Sequence, residues 1–197
     1  MTMNRLYTVV FSLLMLSGCS AVDYSVSEKF ADVKPYTIVV MPIDWTGAGE
    51  PKAAGKDVTR LFKSMAIEAL KSKRYNVSTD ETLPGAAVKK PAEAAKAAGA
   101  DAALVIRMNE WDASEVLSYA SLKIRATIEM HSKDGELLWR VEYATSESDA
   151  GLDASTVEAG VIKTYEPRVQ RFVDAAFSTL PQAALPDKRG RFFEWLP

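Results

Sequence analysis

The stretch Tyr36-Thr37-Ile38-Val39-Val40-Met41-Pro42 decides the fold class of this chain. A β-branched, almost wholly apolar run that ends at a proline is typical of a strand buried on both faces, such as a central strand of an α/β layer. After a glycine-bearing loop (43–56), apolar residues recur at three- and four-residue spacing over residues 57–73, which predicts an amphipathic helix with Asp57 as its N-cap. Residues 74–78 predict a short second strand, so the domain begins as strand, helix, strand.

The middle of the chain predicts one more helix and three more strands. Residues 91–98 are strong helix formers with a proline near the start, and residues 101–108 predict a third strand. A longer strand is expected to begin near Leu117. Within it, residues 122–131 alternate strictly between apolar and polar, so one face is predicted to be buried and the other solvated. A Lys-Asp-Gly-Glu turn then leads into a return strand over residues 137–145.

The last predicted element is a helix that carries an apolar stripe from Val169 to Leu180. Residues 146–155 are polar and predict a loop, and Pro167 predicts a kink or a new helix start because proline lacks the N–H that a helix interior uses. We therefore predict an α/β fold, a mixed β-sheet with packed helices in the order β-α-β-α-β-β-β-α. It forms a single domain with a C-terminal tail, residues 36–197.

The N-terminus has the layout of a secretory signal. One basic residue and no acid lie in residues 1–5, an apolar run follows from residue 6 to 16, and small residues come next. The run is shorter than the roughly 20 residues that a membrane-spanning helix needs. Leu16, Ser17, Gly18 and Cys19 resemble the bacterial lipobox at every position. The resemblance implies that residues 1–18 are a lipoprotein signal peptide, removed before an acylated Cys19.

The expected lipid anchor also implies a location. One acyl chain binds a membrane only marginally, so a stable anchor needs two or more chains, and an acylated lipoprotein cysteine carries three. Ser20, and not Asp, follows Cys19. In the Gram-negative family this resembles sorting to the outer membrane, which implies lipid anchoring on its periplasmic face. Residues 19–35 are interpreted as the acylated cysteine and a linker, which packing of Phe30 and Val33 on the domain would shorten.

Composition limits the kinds of partner. Removing residues 1–18 from the 197 residues leaves 179, enough for one domain with its own core. Arg5 is the only charge removed, so 23 basic and 26 acidic residues remain, a net charge of −3. Because the balance is near neutral and lacks a basic stripe, we expect no nucleic-acid partner. Cys19 is the only cysteine, so the fold forms without an internal disulfide.

Candidate chemistry is sparse. His131 is the only histidine and is expected to be solvent-exposed beside Glu129. With Cys19 acylated, a zinc site of Cys and His ligands is excluded, and we expect no metal. Acids near a predicted strand end (Asp101, Glu110 and Asp112) show no spacing typical of an acid/base pair.

A strand, glycine loop and helix also invite comparison with a phosphate-binding loop. Gly49 and Gly55 are separated by five residues where the Walker pattern has four, and Lys56 is followed by Asp57. An acid at a helix start would repel a phosphate. We therefore expect no nucleotide, no cofactor and no enzymatic activity.

Aromatic residues form the remaining candidate site. Trp45 and Trp111 fall in or beside predicted loops, and Phe192, Phe193 and Trp195 lie in a tail that also contains basic residues. Aromatics and arginine are enriched at protein interfaces, so these five residues are a candidate interaction surface. The alternative is that the rings fold back and cover a helix or a sheet edge.

Three motifs carry a family resemblance. They are residues 36–42, Gly99-Ala-Asp-Ala-Ala-Leu-Val-Ile106 and Asp134-Gly-Glu-Leu-Leu-Trp139. Their order and spacing resemble small bacterial outer-membrane lipoproteins of unknown function, first catalogued as neisserial surface antigens, with a domain like the N-terminal domain of TolB. The curli-secretion and peptidoglycan-synthase-activator lipoproteins are more distantly similar. The resemblance covers about residues 36–180, departs from relatives in the loop 43–47, and brings no catalytic residues.

Anchor and resemblance together imply a function. The first hypothesis is a non-enzymatic, lipid-anchored periplasmic module that binds an envelope protein during assembly or regulation. This hypothesis rests on the analogy of fold with the resembling lipoproteins and on the expected anchor. The second is a binding domain for a peptidoglycan or polysaccharide ligand. It predicts a concave pocket lined by the loops after Pro42 and Met108, with Trp45 and Trp111 inside it.

Overall fold

The protein folds around a six-stranded mixed sheet. The computed structural model describes residues 22–49, 51, 55–78, 90–114, 121–148 and 161–184. The strands in chain order are β1 (Asp23–Val26), β2 (Thr37–Val40), β3 (Asn76–Ser78), β4 (Ala102–Asp112), β5 (Ser121–Ser132) and β6 (Leu137–Ser148). Across the sheet their order is β1-β6-β5-β4-β2-β3. Strand β2 pairs in parallel with β3 and β4, whereas β4, β5, β6 and β1 pair antiparallel.

Four described helices pack on this sheet or at its edge: α1 (Lys29–Val33), α2 (Gly55–Ser72), α3 (Pro91–Ala97) and α4 (Val161–Ser178). From β2 onward the elements follow in the order β-α-β-α-β-β-β-α, as predicted. The α/β class with a mixed sheet is therefore confirmed.

The main core lies between one face of the sheet and helices α2 and α4. Phe172 of α4 contacts Phe62 of α2 and Tyr143 of β6, with ring centroids 5.6 and 5.0 Å apart. Trp139 of β6 packs against Phe177 of α4 at 5.7 Å. The buried face predicted for β5 is confirmed, because its apolar members lie in this core: Leu122, Ile124, Ala126, Ile128 and Met130.

The opposite face of the sheet is covered over β2 and β4 by helix α3. Ala94 and Ala95 of α3 pack against Val39 and Ala103 in a small second cluster. Val39 belongs to this cluster, whereas its neighbours in β2 belong to the main core. Because side chains alternate along a strand, α3 lies on the side of the sheet opposite α2 and α4.

The described part of the segment expected to be a linker, residues 22–35, is part of the fold. Strand β1 pairs with β6 from Asp23 opposite Glu142 to Val26 opposite Trp139. Helix α1 buries Phe30 in the main core, as anticipated. All four β1 side chains are exposed, so backbone pairing holds this strand. Strand β1 therefore has no periodic pattern of apolar residues from which the sequence could predict it.

Three local expectations were wrong. Helix α4 does not start anew at Pro167 but includes it, because the loss of one backbone hydrogen bond is offset by burial of the apolar stripe around the proline. Strand β6 continues to Ser148, beyond the residue at which a loop was expected. Asp57 lies in the first turn of α2, which begins at Gly55, and pairs there with Arg60.

Candidate functional site

The loop that follows β2 is held against β4. The Asp44 amide donates to the Ile106 carbonyl at 2.9 Å, and the Met108 amide donates to the Asp44 carbonyl at 2.8 Å. Gly47 lies close to the β4 backbone, since a Cβ there would be 2.9 Å from the Met108 carbonyl oxygen. The loop thus extends the parallel sheet beyond the carboxyl end of β2, the edge at which open α/β sheets commonly bind ligands.

Three aromatic rings meet at this edge, and we call them the aromatic cluster: Trp45, Trp111 and Tyr165. The two tryptophan rings are 5.9 Å apart, and Trp111 lies 5.4 Å from Tyr165, both in edge-to-face geometry. Trp45 Nε1 donates to Thr59 Oγ1 at 3.1 Å. These contacts join the loop after β2, the end of β4, α2 and α4.

Burial within the aromatic cluster is uneven. Tyr165 is buried, and this burial raises the pKa of its phenol above the usual range. Trp45 and Trp111 are half-buried and pack against the main core. The structure thus brings both predicted tryptophans together and gives each a structural contact as well as accessible surface.

Two aspartates shape the backbone beside the aromatic cluster. Asp44 Oδ1 accepts the Thr46 amide at 2.9 Å, and Asp112 Oδ1 accepts the Ser114 amide at 3.0 Å. Hydrogen bonds from Thr46, first from its hydroxyl, lower the pKa of Asp44, and those from Ser114 do the same for Asp112. Both carboxylates therefore act as turn acceptors.

A polar site separate from the aromatic cluster lies on the same face of the sheet as α3, in the part of that face that α3 does not cover. Glu129 of β5 is at its centre, with a side chain only 9% exposed. Arg107 Nη1 of β4 donates to Glu129 Oε2 at 2.7 Å, and His131 Nε2 lies 3.0 Å from the same oxygen. Arg140 Nη1 of β6 lies 3.5 Å from Oε1. We call these four residues the Glu129 network.

The Glu129 network corrects the expectation of a fully solvated face. Long arginine side chains from β4 and β6 cover the middle of β5, so Thr127 and Glu129 are buried. His131 is half-buried against Glu129 and not simply exposed. Burial alone would raise the pKa of Glu129, but hydrogen bonds from His131 and Arg107 and the charge of Arg107 together lower it. The carboxylate is thereby held ionised.

The other acids near strand ends are also committed to structural contacts. Asp101 Oδ2 accepts the amides of Tyr36 and Thr37 at 3.1 and 2.9 Å, which clamps the start of β2 to the start of β4. Glu110 lies 3.5 Å from Arg125 across β4 and β5. The described part of the chain contains no group of three or more acidic, histidine or cysteine side chains placed to share a metal ion.

Several predicted site residues lie outside the described residues. They are Leu16, Ser17, Gly18 and Cys19 of the lipobox and Phe192, Phe193 and Trp195 of the tail. Within the described ranges, no helix combines the length and apolarity needed to cross a membrane.

The roles of two residues were not predicted from the sequence, Tyr165 in the aromatic cluster and Asp101 in joining β2 to β4. Tyr165 lies four residues before Val169, so it continues the helical stripe upstream of Pro167, but the expected break at the proline hid that spacing. No local sequence pattern predicts the hydrogen bonds from Tyr36 and Thr37 to Asp101, since they join residues more than sixty positions apart.

Comparisons with known proteins identify the fold. No protein-family model and no curated protein sequence matches this chain. A single-substitution variant of the PelC dodecamer from Paraburkholderia phytofirmans is 12% identical with a TM-score of 0.52, covering 83% of this chain and 99% of PelC. The hypothetical protein CT253 from Chlamydia trachomatis is 10% identical with a TM-score of 0.55, covering 73% and 94%.

A further solved structure is the lipoprotein GNA1162 from Neisseria meningitidis. It is 16% identical with a TM-score of 0.47, and the alignment covers 70% of this chain and 99% of GNA1162. At such identities the likenesses to PelC and CT253 show a shared fold and nothing finer. The structural neighbours of this chain thus include PelC and a lipoprotein.

Proposed function

We propose that this chain is a lipid-anchored protein of the cell envelope, held at the periplasmic face of the outer membrane, and that it works without enzymatic chemistry as a protein-binding or assembly module. The observation that carries this proposal is the complete lipobox from Leu16 to Cys19, placed directly before the folded domain. Val22, three residues after Cys19, already packs against the main core.

The contacts of the polar residues support a binding role over catalysis. Asp101 holds backbone amides, Asp44 and Asp112 hold turns, and Glu129 contacts Arg107 and Arg140. Each of these carboxylates is already engaged by a structural partner, whereas a general acid or base must reach a substrate proton. The solved PelC structure, which shares the fold, is a dodecamer, so the binding partner to test includes a second copy of this chain.

Lipid attachment is tested with Cys19→Ser. Wild-type protein is expected to incorporate labelled palmitate and to fractionate with outer membranes. Cys19→Ser should incorporate none and appear in the soluble fraction. Ser20→Asp serves as a matched control, because it keeps the acylated cysteine but should alter sorting to the outer membrane. Palmitate labelling that persists in Cys19→Ser would refute the anchor.

The protein-binding role requires a partner that depends on the folded surface. Crosslinking in intact envelopes followed by pull-down of the wild-type chain is expected to recover the same partner repeatedly. Trp45→Ala and Trp111→Ala should weaken recovery if the aromatic cluster is the contact, while the exposed Glu68→Ala on α2 should not. A pull-down with no reproducible partner, other copies of the chain included, would count against this role.

A glycan-binding function is the second candidate, favoured by the convergence of Trp45 and Trp111 at the carboxyl end of β2. The accessible parts of these half-buried rings, beside polar turns, can contact a peptidoglycan or polysaccharide fragment. Titration of the protein with such fragments is expected to change tryptophan emission, and the change should be lost in Trp111→Phe. Constant emission would remove this candidate.

Kinship with the TolB N-terminal domain is part of the same proposal. The motif at Gly99–Ile106 forms the start of β4, and the motif at Asp134–Trp139 forms the turn into β6, so both motifs mark the beginning of a strand. A solved structure that superposed on that domain over β2 to α4 would support the relationship.

A further inference from the structure

The position of β1 sets the length of the tether to the proposed lipid anchor. Because β1 is paired with β6 and Val22 packs on the core, the chain that connects the proposed anchor at Cys19 to the fold at Val22 is only three residue steps long. At about 3.3–3.6 Å per residue, its greatest reach is about 10–11 Å. An undocked linker ending at Pro35 would have allowed several times that distance.

This reach is short compared with the width of the sheet. Strand β1 forms one edge and β3 the other, five strand spacings apart. At about 4.8 Å per spacing, the edges are separated by about 24 Å. The tether is therefore too short for the anchor to pass around the domain to the β3 edge.

The β1 edge has the side chains of a surface that meets lipid headgroups. Tyr24 is 55% exposed and Val26 is 42% exposed, although both are apolar or amphipathic. Tyrosine favours the membrane–water interface, where its ring is in apolar surroundings and its hydroxyl stays hydrated. Beside them is a shallow depression of about 160 Å³, lined by Asp23, Tyr24, Ser25, Arg140 and Glu142.

We propose that the β1 edge faces the bilayer, with Tyr24 in the lipid headgroup region and the β3 edge directed away from the membrane. The inference rests on the proposed acylation of Cys19. The charges around β1 are of both signs, so the short tether and the exposed apolar side chains, and not net charge, hold this edge at the surface. Strand β2, whose carboxyl end carries the aromatic cluster, is the strand next to the β3 edge.

Single-site fluorescent labelling tests this orientation. Acylation blocks the only native cysteine, so a new cysteine can be labelled alone in the full, acylated chain. Ser25→Cys places the label on β1, and Asn76→Cys is the matched control at the exposed first residue of β3. The protein is reconstituted in phosphatidylethanolamine and phosphatidylglycerol vesicles that contain a lipid with a nitroxide on its headgroup.

Quenching at position 25 is expected to be at least threefold greater than at position 76. Equal quenching, or greater quenching at position 76, would overturn the orientation while leaving the anchor intact. Weak quenching at both positions with concentration-dependent protection of the β1 label would mean that a second copy covers this edge, which also overturns the proposal. Mass spectrometry of the same sample distinguishes these outcomes, since an unacylated Cys19 would refute the anchor and the orientation together.

Discussion

Glu129 shows how one side chain can hold three strands together. It is an acid on the face of β5 that the alternating pattern assigns to solvent, yet Arg107 and Arg140 reach it from the neighbouring strands on either side. Exposed ion pairs stabilise proteins little, but a mostly buried carboxylate with a short charge-assisted hydrogen bond contributes more. The local sequence could predict which face Glu129 occupies. It could not predict burial, which depends on side chains from β4 and β6.

Glu129→Gln is expected to lower the free energy of unfolding by about 1.5–3 kcal/mol, the range for a hydrogen bond to a charged group. The substitution keeps the shape but removes the charge that Arg107 and His131 contact. Glu142→Gln is the matched control, because Glu142 is half exposed and has a longer, 3.6 Å contact with Arg140. That control should change stability by less than about 0.5 kcal/mol. Urea unfolding measures both, and equal effects would contradict a special role for Glu129.

The same carboxylate predicts how stability depends on pH. Its pKa in the folded protein is below the ordinary value of 4.5. The folded state therefore binds this proton less readily than the unfolded state. Its contribution is complete above about pH 4.5 and is lost as the pH falls through the lowered folded pKa. The stability difference between wild type and Glu129→Gln should shrink in urea titrations from about pH 6 toward about pH 3. A difference that stayed constant would contradict this.

At the scale of elements, the loop after β2 joins the aromatic cluster to the sheet. The sequence predicted a glycine-bearing loop here. Only the structure shows why position 47 needs a residue without a side chain, which is that the β4 backbone passes beside it. The elements with strong periodicity, β5, α2 and the second half of α4, were predictable because each buries one face. Strand β1 was not, since its four side chains are exposed and only its backbone is paired.

Gly47→Ala is expected to destabilise the protein by about 1–3 kcal/mol, as overpacking commonly does. The added methyl group would meet the Met108 carbonyl oxygen and the Asn109 Cα, which are backbone atoms that cannot rotate away. The loop should shift from β4, separating Trp45 from Trp111 and moving tryptophan emission to longer wavelength. Glu68→Ala, on the exposed side of α2, is the control, because it introduces alanine at a site away from the loop and should change neither stability nor emission. Unchanged stability and emission would show that the loop does not lie against β4.

On the scale of the whole molecule, the two faces of the sheet are packed very differently. One face carries α2 and α4 with large aromatic contacts, and the other carries α3 with a cluster built mainly from alanine. Apolar area removed from water is the main stabilising term in folding, so the α2–α4 side holds most of the stability. The order and class of the elements from β2 onward were predictable from their patterns. The relative strength of the two faces was not, because it depends on which elements meet.

This asymmetry predicts two levels of hydrogen exchange. Amides of α3 should exchange by local opening, whereas central β5 amides such as that of Ile128 should exchange only through global unfolding. Phe172→Ala removes a ring that contacts both Phe62 and Tyr143, so it should cost about 3–5 kcal/mol and accelerate β5 exchange accordingly. It should leave α3 exchange nearly unchanged. Ala95→Gly should lower α3 protection by about 1 kcal/mol through its helix propensity and through lost packing, and it should lower β5 protection by no more than that amount, because α3 also unfolds in the global transition. If Phe172→Ala accelerated exchange equally in α3 and β5, the two faces would open as one cooperative unit and the asymmetry would have no energetic consequence.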